Sequence, residues 1–139
     1  MGYGELLHKS EQRTISPAIC VYIDANGLHE PNNERGHEAG DLMLHAVAES
    51  LMEQFPKGSL CRVGGDEFVV FPAPAEGQTC EDRMRSASAS TTVQGCSISY
   101  GIAAHESVVG LRELVREADE KMLESKHAYY AEHDRRVRK

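Results

Sequence analysis

The sequence predicts an α+β fold, with helices packed on a mostly antiparallel sheet, and three observations carry that prediction. Apolar residues recur at helical spacing in two long segments. Four short runs are rich in β-branched and aromatic residues, and two of these are joined by a tight turn containing Gly-Gly. The order helix, strand, helix, hairpin, helix, strand, helix interleaves the two kinds of element. With 139 residues, of which 40% are hydrophobic and 27% charged, the chain fits one domain with a single core and has no room for a second.

Each element follows from its residues. In Met1 to Gln12, Tyr3, Leu6 and Leu7 fall at helical spacing and read as the last turns of a helix. Ala18 to Ile23 is almost wholly apolar, the pattern of a strand buried on both faces, with Asp24 at its C-terminal end. Ala25 to Arg35 mixes Asn, Gly, Pro and Glu without an apolar period and reads as an irregular connection. Ala39, Leu42, Met43, Ala46, Val47, Leu51 and Phe55 then define one face of a long helix that stops at Pro56 and Gly58.

Leu60 to Val63 and Phe68 to Phe71 form a hairpin around Gly64-Gly65-Asp66-Glu67, closed by Pro72 and Pro74. Thr79 and Asp82 offer a capping box for a short helix reaching about Ser90. Ser97 to Ala103 is a further strand, and Leu111, Leu114, Val115, Ala118 and Met122 mark a second amphipathic helix running toward Tyr129.

Composition narrows the function. A formal net charge of -7 argues against a surface built to neutralise nucleic-acid phosphates. The basic run Arg135, Arg136, Arg138 and Lys139 reads as a solvated tail. Cys20, Cys61, Cys80 and Cys96 form no C-x-x-C pair, so reduced thiols are expected rather than a zinc or redox site. Without a leader or a membrane-length apolar stretch, the segment is expected to be cytoplasmic, while the parent protein remains open to membrane anchoring.

The chemistry concentrates in Gly64-Gly65-Asp66-Glu67-Phe68, where two carboxylates follow two glycines in a turn. Glycines admit positive φ and let a phosphate approach the backbone. Adjacent acids repel one another unless cations bridge them, and hard divalent ions take oxygen ligands while keeping positions open for phosphates. Asp24 would bring a third carboxylate if the hairpin lies beside its strand. A solvated hairpin turn is the plainer alternative for the four residues alone. His37, Asp41 and His45, at i, i+4 and i+8, allow a zinc site by spacing, and a surface pairing is the competing reading.

Several blocks together resemble the GGDEF family of diguanylate cyclases. They are Asp24-Ala25-Asn26-Gly27-Leu28 with Asn32, Gly36 to Leu42, Arg62 to Phe68, Ser97 to Ala103, and Ala118 to Met122 with Lys126. The resemblance covers about Ala18 to Tyr130 and implies a nucleotidyl-cyclase, palm-like fold with a ferredoxin-like core. It implies condensation of two GTP into cyclic di-GMP by a homodimer of domains, with Mg²⁺, or Mn²⁺ as the alternative ion.

Residue by residue, the resemblance implies that Asp24, Glu67 and the Ala25 carbonyl hold the metal. Asp66 would serve a second metal or assist deprotonation of the ribose 3′-hydroxyl. Asn32 and Asp41 would recognise guanine. The backbone around Gly27, Leu28 and His29, with Gly64 and Gly65, would cradle phosphates, and Lys126 would contact the triphosphate.

Four positions depart from the family pattern. His29 stands for a usual lysine, Asn33 for aspartate, Tyr130 for a frequent arginine and Asn26 for a frequent second aspartate. The family's inhibitory product site begins with Arg-x-x-Asp, where this chain has Phe55-Pro56-Lys57-Gly58, so no inhibition through that site is expected. Its usual opening segment, Asp-x-Leu-Thr-Gly-Leu, is missing, so the chain is expected to be a fragment lacking the start of its first helix, monomeric and poorly active alone. The alternative is a degenerate domain that binds GTP or a protein partner without turnover.

Overall fold

The computed structural model describes residues 2–26 and 36–137, with the side chains of 36–39 and 133–137 left aside. A four-stranded sheet in the order β3-β4-β2-β5 forms its centre. The strands are β2 (Ala18–Asn26), β3 (Ser59–Arg62), β4 (Glu67–Phe71) and β5 (Ser97–His105), and every pairing is antiparallel. The helices are α1 (Tyr3–Ser10), α2 (Gly36–Gln54), the single turn α3 (Pro74–Gly77), α4 (Cys80–Val93) and α5 (Arg112–Val137).

Strand alternation divides the core in two. Val21, Ile23 and Ala25 of β2, with Phe68 and Val70 of β4, face Val47, Leu51 and Phe55 from α2 and its end, and Met84 and Ala87 of α4. Cys20, Tyr22 and Val69 face the other way, into a cluster with Leu7 of α1 and Leu114, Ala118 and Met122 of α5. Helices therefore cover both faces, which is why β2 reads as an unbroken apolar run although its partners are antiparallel.

Gly101 sets the seat of α5. A Cβ at this position would lie 2.3 Å from the Met122 nitrogen, 2.4 Å from the Ala118 oxygen and 2.7 Å from the Lys121 carbonyl carbon. Only a residue without a side chain lets the helix backbone approach the strand this closely.

The structure corrects several sequence expectations. The strand does not stop at Asp24 but continues through Asn26, because β5 pairs it as far as Asn26↔Ser97. Leu42 does not belong to the buried face of α2: it is 72% exposed, and Leu44, 9% exposed, takes its place beside Val47 and Leu51. Apolar spacing alone could not separate these two leucines, which lie two positions apart.

The Thr79 capping box is not formed, since the Thr79 hydroxyl instead accepts from Arg83 Nε at 2.7 Å. The helix it was expected to open is longer than the sequence reading, running to Val93. Pro74 does not merely close the hairpin but begins α3, where Glu76 Oε1 accepts from the Ala73 nitrogen at 2.9 Å.

A two-stranded ribbon of β1 (Thr14–Ile15) and β6 (Val108–Val109) went unpredicted. It is held where Ser10 Oγ accepts from the Leu111 nitrogen at 3.1 Å.

Candidate functional site

The polar end of the sheet lies on the face covered by α5. Along β2, Tyr22, Asp24 and Asn26 alternate with the apolar residues of the opposite core and so point to this side. Register places Asp24 directly across from Glu67 of β4 and from Ser99 of β5. Asp24 is 1% exposed, deep for a carboxylate.

Asp24 Oδ2 accepts from Lys126 Nζ at 2.6 Å, across 102 positions of sequence. Asp24 Oδ1 is buried and without a hydrogen-bond partner among the described residues. Burial pushes the Asp24 carboxyl up from its ordinary value; the Lys126 hydrogen bond opposes this, and the charges of Asp66 and Glu67 add to it. Lys126 is raised in turn, chiefly by its bond to Asp24.

The hairpin joins this site through backbone and side chain. Asp66 accepts at its carbonyl from the Ala25 nitrogen at 3.0 Å, which locks the turn against β2. Arg62 closes the turn from outside, Nε donating to the Gly64 oxygen at 3.3 Å and a terminal nitrogen to the Gly65 oxygen at 2.6 Å.

Two expectations for this turn are corrected. Glu67 is not a turn residue but the first residue of β4, because it pairs with Asp24. The glycines are not needed for positive φ, which among described glycines occurs only at Gly95 and Gly110. Gly64 instead leaves room for an acid, since a Cβ there would lie 3.2 Å from Glu67 Oε1.

Tyr22, not singled out by sequence, and Asn26, noted there as a departure from the family pattern, complete the arrangement. Tyr22 donates its hydroxyl to Glu67 Oε1 at 2.8 Å, and burial together with this carboxylate pushes its phenol up, so it remains a donor. Asn26, 3% exposed, accepts at Oδ1 from Ser99 Oγ at 3.1 Å and donates from Nδ2 to Ser97 Oγ at 3.2 Å. The alternation of Tyr22, Asp24 and Asn26 along one strand was the available signal; an aromatic at such a position reads first as core.

Asp24, Asp66, Glu67, Ala25, Gly64, Gly65 and Lys126 are thus gathered at one end of the sheet. Asp41 is exposed on α2. Gly27, Leu28, His29, Asn32 and Asn33 lie outside the described residues. Of the histidine triplet, the His37 side chain lies outside them too, and His45 Nε2 pairs with Glu49 Oε1 at 3.1 Å.

The donor set suits a hard divalent cation. Three formally negative carboxylates face one ammonium, and the orphaned Asp24 Oδ1 is an oxygen whose burial a cation would compensate. Among the described residues, no three His, Cys, Asp or Glu side chains already converge as a metal cage.

Comparison with known proteins agrees with this geometry. The family described as "Diguanylate cyclase, GGDEF domain" matches residues 4–131. The chain is 30% identical over 131 residues to diguanylate cyclase DgcM of Escherichia coli K12, covering 89% of this chain and 31% of that protein. It is 30% identical over 140 residues to an uncharacterized Mycobacterium tuberculosis protein, covering 88% of this chain and 22% of the relative.

Among solved structures, the GGDEF domain of YfiN (TpbB) from Pseudomonas aeruginosa superimposes with a TM-score of 0.72 at 28% identity, covering 90% of this chain and 86% of that one. The chain therefore spans about a fifth to a third of the length of these curated relatives. The antiparallel sheet flanked by helices is the palm-like cyclase fold, and the chain belongs to the GGDEF domain family of diguanylate cyclases.

Proposed function

We propose that this domain condenses two GTP molecules into cyclic di-GMP with release of two pyrophosphates, and that it does so as a dimer of domains. The observation that carries the reading is the buried Asp24, facing Glu67 in register with one oxygen unpartnered and the Asp66 turn tied to the next residue. Such a site is built to take a cation together with an anion, not to stand as surface.

Asp24 and Glu67, with the Ala25 carbonyl, would hold Mg²⁺, with Mn²⁺ as the alternative ion. When bound, the ion supplies charge neutralisation for the triphosphate and its leaving group. Lys126, anchored on α5 beside Asp24, adds a second positive charge at the same phosphates. Gly27, Leu28 and His29, with Gly64 and Gly65, present backbone to the phosphates, and Asn32 and Asp41 select guanine.

Asp66, at the turn, accepts the proton of the ribose 3′-hydroxyl. The oxygen so freed bonds to the α-phosphate of the facing nucleotide, whose bond to pyrophosphate breaks. Because each domain holds one nucleotide, two must face each other. Residues 1–139 then form one catalytic domain of a longer protein, as the short coverage of its relatives suggests. No helix among the described residues is long and apolar enough to cross a membrane, and we place the domain in the cytoplasm, where GTP is supplied.

One observation favours a second reading, a regulatory domain that binds GTP without turnover. Tyr130 lies one turn beyond Lys126 on α5, where an arginine would have helped the phosphates. Binding and turnover separate the two. Calorimetry with GTP and Mg²⁺, beside product analysis on a coiled-coil fusion, is expected to give both binding and cyclic di-GMP, with no product from Asp66→Ala plus Glu67→Ala. Binding without product supports the regulatory reading, and absence of binding removes both.

A further inference from the structure

We infer that Tyr22 is a positioning residue for the metal site, its hydroxyl fixing the carboxylate of Glu67 in the orientation that receives the ion. This rests on the reading that Glu67 is a metal ligand.

Tyr22 is 9% exposed and belongs to the buried cluster formed with Val69, Ala118 and Met122. It pairs across the sheet with Gly101, the residue against which the α5 backbone is seated. The ring is thus packed from strand and helix sides, and its hydroxyl is delivered to one place. That place is Glu67 Oε1, at 2.8 Å.

Glu67 itself stands at the first position of β4, where its carbonyl accepts from the Val63 nitrogen at 3.0 Å and fixes the backbone but not the carboxylate. Two features limit its side chain. Tyr22 ties Oε1, and Gly64 provides the space that the same oxygen occupies, since a Cβ there would approach it to 3.2 Å. The other oxygen is left to a ligand, and the residue paired with Glu67 across the strands is Asp24, whose Oδ1 has no partner among the described residues. Partners of this kind orient a metal-binding carboxylate without touching the metal, and their loss costs about 10–100-fold in affinity.

The test is Tyr22→Phe, which keeps the ring and removes the hydroxyl. Mn²⁺ binding would be read by electron paramagnetic resonance of the free ion, with and without a GTP analogue that cannot be cleaved between the α and β phosphates. The expected result is affinity weaker by about 10-fold or more, with an unchanged far-ultraviolet circular dichroism spectrum.

Glu67→Gln is expected to weaken binding as well, and adding Tyr22→Phe to it should cause no further loss, because the two residues act through one bond. Tyr22→Leu, which also lacks the hydroxyl, guards against an effect peculiar to phenylalanine and should bind as weakly. Equal Mn²⁺ affinity in wild type and Tyr22→Phe, or additive losses in the double variant, would overturn the inference while leaving the metal reading intact. If the wild-type chain binds no Mn²⁺ under either condition, the metal reading itself fails, and the inference with it.

Discussion

Replacing Gly101 by alanine tests the link between sheet and site. A methyl group there would begin 2.3 Å from the Met122 nitrogen and 2.4 Å from the Ala118 oxygen. Normal contact needs about 3.5 Å, so strand and helix must separate by about 1 Å. The obstructing atoms are helix backbone and cannot rotate away.

Overpacking of this kind costs about 1–3 kcal/mol, and the gain from replacing a strand glycine, about 0.5–1 kcal/mol, offsets only part. A net loss of about 1 kcal/mol follows. Unfolding entropy of about 2.1 cal/mol/K per residue, over 139 residues, converts this to a fall of about 3–4 °C in Tm. Lys126 lies about 7.5 Å further along the same helix from Lys121, so its contact with Asp24 should loosen too. Differential scanning calorimetry reads the first effect directly. An equal or higher Tm in Gly101→Ala would refute the reasoning, because an uncrowded site would show only the stabilising gain.

Two further perturbations probe the polar end of the sheet. Lys126→Met strips the partner from a carboxylate whose side chain is 2% exposed, and should cost about 3 kcal/mol at neutral pH by urea denaturation. Asp24 has a raised folded-state pKa, so the folded state takes up its proton first and the burden of the buried charge is relieved as pH falls through that pKa. The difference between Lys126→Met and wild type should therefore shrink as pH falls through the raised Asp24 value, and a constant difference would exclude the buried pair as its source. The raised Lys126 pKa contributes stability that is complete below the ordinary lysine value and is lost only in alkali as pH passes the folded-state value. Ser99→Ala deprives Asn26 Oδ1 of its donor and should destabilise by about 1–2 kcal/mol; no change in urea midpoint would mean that the amide is satisfied otherwise.

Much of this arrangement was legible because it is local. The hairpin announces itself through Gly64-Gly65 between two apolar strands, and β2 through its unbroken apolar run. Asp24 meets Glu67 because antiparallel neighbours with complementary ends leave little choice of register.

What was not legible depends on contacts remote in sequence or on the identity of one neighbour. Lys126 reaches Asp24 from α5, and no periodicity relates residues 102 positions apart. The roles of Tyr22 and Gly101 are fixed by which helix lies over them, so each looks in sequence like an ordinary strand residue. Leu42 and Leu44 could exchange faces until the angle of α2 was known, and the ribbon of β1 and β6 is too short to carry a pattern.

The most direct measurement is the initial rate of cyclic di-GMP formation from GTP and Mg²⁺ by a dimerising coiled-coil fusion of this domain, beside the same fusion carrying Asp24→Asn. The asparagine removes a buried charge that Lys126, with its side chain 27% exposed, can survive without, so the variant should fold as well as wild type. Product from the wild-type fusion, and a rate lower by at least about 100-fold from the variant, is the predicted result. Equal rates from the two, or GTP binding without product in the wild-type fusion, would contradict the account.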